Sequence, residues 1–139
     1  MFTNVANNMN ITKTMQLSKE GSSAKLRQHL NEGNQENLDF QDEDGNTALI
    51  WAACEGHVEC VELLLQKEAF VDHQDKDGNT ALIGAARMGH MNIVRNLLCC
   101  KANIHLTNKS GTTAIEEAST EEIREEIRNS QGRLTKGAC

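Results

Sequence analysis

Five histidines and five cysteines are the residues through which this chain could do chemistry. The cysteines are Cys54, Cys60, Cys99, Cys100 and Cys139. A thiolate metal site needs further ligands at regular spacing, such as C-x-x-C, and the chain has none. An odd count without paired spacing suits reduced thiols in a reducing compartment. Cys99-Cys100 falls at the end of an expected helix and reads as a pair of structural thiols, with redox sensing as the alternative. His73 and His105 lie near turns and have no i+4 partner, and His29 is expected on an exposed helix face. No Ser–His–Asp set, phosphate-cradling glycine loop or H-E-x-x-H can be assembled. The stretch from Asp72 to Gly78 has a passing likeness to a calcium loop but lacks the spaced oxygens and the bidentate Glu at its twelfth position. No catalytic residue, cofactor or metal is expected, and the chain is not read as an enzyme.

What must position these residues is a repeat. D-G-N-T-A-L-I-W-A-A-C-E-G-H, Asp44 to His57, returns as D-G-N-T-A-L-I-G-A-A-R-M-G-H, Asp77 to His90, at an offset of 33 residues. Laying Gln41–His73 on Gln74–Leu106 gives 17 identities in 33 positions, far too many for chance in so short a window. A weaker third copy carries Gly111, Thr113, Ala114, Ile115 and Ala118. Self-similarity at such a period signals stacked units, none of which can bury its faces alone.

Each unit reads as a turn and two short helices. Asp44-Gly45 and Asp77-Gly78 supply the positive φ that a tight turn demands. Thr47 and Thr80 can cap first helices over Ala48 to about Glu55 and Ala81 to Met88. The second helices carry apolar stripes, Val58, Val61, Leu64 and Leu65, then Met91, Ile93, Val94, Leu97 and Leu98. Before the repeats, Met15, Leu17, Leu26 and Leu30 mark two helices without a turn unit; Ser22 or Ser23 can cap the second and Gly33 end it. A small insertion is expected between Asn34 and Phe40. After the repeats, Ser119–Glu122 forms a capping box for a helix whose apolar seam is Ile123 and Ile127 and whose outward face is charged. Residues 1–11 read as a disordered arm and Ser130 to Cys139 as a tail.

A 33-residue unit with D-x-x-G-x-T, Leu, A-A, G-H and an apolar doublet resembles the ankyrin repeat. The resemblance implies an all-α solenoid of stacked helix-turn-helix units with hairpin-like turns. Two full repeats, 41–73 and 74–106, would stand between an N-terminal cap, 12–40, and a C-terminal cap with its tail, 107–139. It also implies that His57 and His90, at the linker position, serve the fold. The family's T-P-L-H reads T-A-L-I here, and its glycine after the second helix is Glu68 and then Lys101. Were those positions left-handed, each would cost about 1 kcal/mol relative to glycine.

The resemblance further implies a concave binding face made of hairpin tips and the edges of first helices. In the first repeat this selects Gln41, Glu43, Asp44, Asn46, Cys54 and Glu55; in the second, Gln74, Lys76, Asp77, Asn79, Arg87 and Met88; in the third, Lys109, Ser110 and Thr112. Glu43 against Lys76, Cys54 against Arg87 and Glu55 against Met88 are among the differences between otherwise matching repeats. The only tryptophan, Trp51, stands where the next repeat has Gly84. It either fills the space beside Gly84 or brings its edge to the concave face as a partner anchor.

The expected function is therefore a non-catalytic adaptor or scaffold that binds a protein partner, or else a small regulatory inhibitor or subunit of an enzyme such as a kinase. The net charge of −6 argues against non-specific binding to nucleic acid or anionic membrane. No run approaches the roughly 20 apolar residues of a membrane span. From the first and last residues no secretory signal, myristoylation site or prenylation box is expected. A monomer in the cytoplasm, or also in the nucleus, is expected.

Overall fold

Apolar faces recurring at helical spacing, broken by glycine turns, fold here into stacked helix pairs. The computed structural model describes residues 13–33 and 37–133. Helix α1 covers residues 13–20. It is followed by α2 (Ser23–Asn31), α3 (Ala48–Glu55), α4 (Val58–Gln66), α5 (Ala81–Met88), α6 (Met91–Cys99), α7 (Ala114–Glu117) and α8 (Glu121–Arg133). Helices α3, α5 and α7 pack side by side as an inner layer, and α2, α4, α6 and α8 as an outer one. The described residues contain no strand.

Each turn is built around one side chain, an aspartate in the first two and an asparagine in the third. Asp42 Oδ1 accepts from the backbone N–H of Asp44 and of Asn46, both at 2.9 Å. Asp75 does the same for Asp77 and Asn79, and Asn108 for Ser110 and Thr112. Such a carboxylate or amide replaces backbone partners that a reversing chain cannot supply. The turns also bond to each other: Lys76 N–H donates to Asp44 O at 2.9 Å, and Lys109 N–H to Asp77 O at 2.8 Å. Gly45 and Gly78 have φ of 80° and 81°. A Cβ on Gly45 would lie 2.9 Å from Lys76 N, and one on Gly78 2.9 Å from Asn108 Cα. Glycine is thus required by the backbone angle and by the approach of the next turn.

Thr47 Oγ1 accepts from Ile50 N–H at 3.2 Å and Thr80 Oγ1 from Ile83 N–H at 3.1 Å, so both expected caps form. Ser22 is the N-cap of α2 but makes no side-chain cap bond; Ser23 Oγ instead donates to Glu59 on α4 at 2.6 Å, a charge-assisted bond between units. The cap of α8 is Thr120, accepting from Ile123 N–H, one residue later than the expected box, while Ser119 N–H donates to Ala86 O. Glu68 and Lys101 do adopt a left-handed φ of 64°.

Ala52, Ala53, Ala85 and Ala86 are fully buried. Their small side chains let α3 and α5 approach closely. Leu26, Leu49, Leu64, Leu82, Ile93 and Leu97 fill the space between layers. In α4 the buried face is Cys60, Val61, Leu63 and Leu64, wider than the expected stripe because the helix is flanked by α2 and α6 as well as α3; Val58 and Leu65 pack only at its margin. His29, expected to be exposed, is 3% exposed. It shares with Leu26 the face of α2 that packs on α4.

The third unit is shortened. Helix α7 has four residues against eight in α3 and α5. Ile123 and Ile127 nevertheless reach the core at 1% and 0% exposure. The outward face of α8 carries the ion pairs Arg124–Glu121 and Arg128–Glu125, a polar end surface such as a stack requires. Helix α8 runs past Ser130, where a tail was expected to start, as far as Arg133. Ser130 Oγ donates to Ile127 O, a back-bond that helical geometry accommodates. The arm expected over 1–11, the core of the insertion at 34–36 and residues 134–139 lie outside the described residues.

Candidate functional site

Hairpin tips and inner helices meet on one side of the stack, and the expected site residues divide there by what they bond. Gln41 Nε2 donates to Gly45 O in its own turn and to Gln74 O in the next repeat. Gln74 repeats this with Gly78 O and Thr107 O. Asn79 Oδ1 accepts from Arg87 at 3.0 Å and from Asn108 at 3.3 Å. Thr112 Oγ1 donates to Glu117 Oε1 at 2.6 Å. These four side chains tie turns to each other and to the inner helices. Asn46 is half-buried beside them, while Glu43, Asp44, Glu55, Lys76, Asp77, Lys109 and Ser110 are exposed. Met88, at the end of α5, is 58% exposed, one of two large apolar side chains so placed among the described residues; the other is Phe70.

Trp51 does not fill the space beside Gly84. A Cβ on Gly84 would collide with Cys54 Sγ, so the glycine makes room for the thiol one helical turn along α3. The Trp51 ring turns the other way. Its Nε1–H donates to Asp42 Oδ2 at 2.9 Å, and Lys19 Nζ from α1 lies 4.4 Å from the ring centroid. Equivalent positions in a stack are neighbours in the backbone, but a side chain leaves its helix toward one neighbour only. The ring is half-buried and lies outside the core cluster.

The third equivalent position is Glu117. It accepts from Thr112 and from Arg87 Nε at 2.9 Å. The Thr112 bond first, and the Arg87 bond and charge after it, hold its carboxyl below the usual range. Burial, followed by the nearby Asp75 carboxylate, pushes the Cys54 thiol up to about 11. That thiol is protonated at neutral pH and a poor nucleophile. Cys60 is fully buried, and burial raises its thiol too. Cys99 and Cys100 are exposed at the end of α6.

The linker histidines serve the fold. His57 Nε2 lies 2.9 Å from Lys19 O, and His90 Nε2 3.2 Å from Cys54 O. A carbonyl only accepts, so each Nε2 carries the proton. His73 sits 3.9 Å from an Asp39 oxygen and edge-on to Phe70, and His105 against Gln131. The described residues hold no group of three or more His, Cys, Asp or Glu placed to bind a metal ion.

Lys19, Asp42 and Glu117 belong to this face and were not among the expected site residues. Glu117 was legible from the 33-residue offset, since it aligns with Trp51 and Gly84. Lys19 had no such signal, because its unit carries no recognisable copy of the motif.

Bonded hairpins over two helical layers define a helical repeat solenoid. A family model described as ankyrin repeats, in three copies, matches residues 14–108. The chain belongs to the ankyrin repeat family, whose repeats are typically protein–protein interaction modules. No curated protein matches it. The match takes in α1 and α2, and ends before α7 and α8.

Proposed function

We propose that this chain is a non-catalytic protein-binding module that holds a protein partner on its concave face. One observation carries the reading. Where the two full repeats match, their side chains cap, turn or pack; several of the positions where they differ are exposed beside the hairpins. Glu43 and Lys76 stand at equivalent tips, and Glu55 and Met88 at equivalent ends of α3 and α5, all exposed. A rigid frame with variable side chains on one face suits recognition by complementary charge and a few apolar anchors. An exposed methionine beside an arginine is of that kind.

Capture from a lysate of the source cell tests it when native protein is compared with two variants. Lys76→Glu combined with Met88→Ser should reduce retained partner at least tenfold at an unchanged melting temperature. Gln66→Ala, on the exposed side of α4, should retain it fully. Equal capture by all three would remove the concave face from the function.

A further inference from the structure

We propose that the Trp51 end of the concave face receives an arginine or lysine side chain of a protein partner, in the place Lys19 occupies in the unbound chain. This rests on the concave face being the binding surface and names the chemistry at one end of it. The first support is that the site already holds an ammonium group. Lys19 Nζ lies 4.4 Å from the Trp51 centroid, within the distance at which a ring face attracts a cation. Lys19 is exposed, so its hold on the ring is of the weak, solvent-screened kind that a better-placed cation displaces.

The second support is that the fold makes no demand for an aromatic here. The same backbone position carries Trp51, Gly84 and Glu117 in successive units, and Trp51 lies outside the core cluster. Its indole N–H is engaged by Asp42, which fixes the ring and sets a carboxylate at its edge. Asp42 also organises the hairpin that carries Glu43 and Asp44.

The third support is the order of charge along the tips. The first carries Glu43 and Asp44, the second Lys76 and Asp77, the third Lys109 and Ser110. Formal charge at these positions therefore runs from two negatives, through balance, to one positive. A partner segment with its basic end at Trp51 matches this order, and the reverse orientation opposes it at both ends.

The test uses the full chain and a capped tri-arginine peptide at low ionic strength, read by calorimetry and by emission from the single tryptophan. Native protein should bind the peptide with a change in Trp51 emission, and a tri-glutamate peptide should leave that emission unchanged. Lys19→Met should bind tri-arginine roughly two- to fivefold tighter, as expected for removing a competing cation from a ring face. Lys25→Met, the same charge change on α2, should not, and the gain from Lys19→Met should vanish in a Trp51→Leu background. Equal tightening in Lys25→Met, or binding without a change in emission, would overturn the proposal. So would a captured partner that is lost with Lys76→Glu and Met88→Ser yet indifferent to tri-arginine. That result leaves the binding-module reading standing, whereas a partner indifferent to the concave face altogether defeats that reading itself.

Discussion

Gly45 and Gly111 share a backbone angle but not a neighbourhood, and the difference separates two costs. Both are left-handed, at φ 80° and 78°. A Cβ on Gly45 meets the backbone of the next turn at 2.9 Å, while one on Gly111 meets nothing within 4 Å, because no hairpin follows it among the described residues. Gly111→Ala should therefore cost about 1 kcal/mol, the strain of the angle alone. Gly45→Ala should cost roughly 2–4 kcal/mol, since the adjoining turn must move as well. Urea unfolding of the two variants measures both, and equal losses would mean that the turns do not touch. Gly84 offers a sign reversal. Alanine in the middle of a helix is ordinarily worth up to about 1 kcal/mol over glycine. At Gly84 the new methyl meets Cys54 Sγ, so Gly84→Ala should destabilise. In a Cys54→Ala background the nearest atom is the Cys54 Cβ position, at 3.9 Å, and the same substitution should stabilise. A gain in the native background would show that the thiol yields freely.

Among the elements, α7 differs most from its counterparts, and Glu117 compensates for its brevity. With one helical turn, α7 buries only Ala114. Its capping box, Thr113 with Glu116, holds its start, and Glu117 ties its end to Arg87 on α5 and to the third hairpin through Thr112. The carboxyl is held below its ordinary pKa, so its contribution to stability is complete above about 4.3. It is lost as pH falls through the lower folded value. Glu117→Gln should lower the urea midpoint at pH 7 while differing little from native protein in the acid limit, where both side chains are neutral. A gap that persists unchanged into acid would place the effect in packing rather than charge.

For the whole molecule, stability resides in the interfaces between units. The inner helices touch in series, α3 with α5 and α5 with α7, and the outer ones likewise, α4 with α6 and α6 with α8. Ending the chain after Lys109 removes α7 and α8. This uncovers the apolar sides of α5 and α6 and discards the charged outer face of α8. The truncated chain should aggregate or unfold well below the melting temperature of the full one, as solenoids without caps do. Size-exclusion chromatography with thermal circular dichroism decides this; a monomer of unchanged stability would show that α7 and α8 do not act as a cap.

The repeat period, both full helix pairs, the hairpin glycines and the threonine caps were all legible in the chain. Each depends on local backbone demands or on a pattern that recurs within 33 residues. The left-handed positions at Glu68 and Lys101 were legible only through the resemblance to the ankyrin repeat, whose glycine these two residues replace. Direction and long-range contact were not. Alignment put Trp51 opposite Gly84, but only the packed helices decided that Cys54 takes that space and that the indole faces Lys19. His29 reads as a polar residue on a polar helix until α4 is laid against it. The end of α8 was likewise misjudged by composition, since Ile127 and Ser130 extend a helix that propensity alone would have stopped. A single period in sequence specifies which backbones become neighbours. Which way each side chain leaves its helix, and what it then meets, is settled only when the layers close.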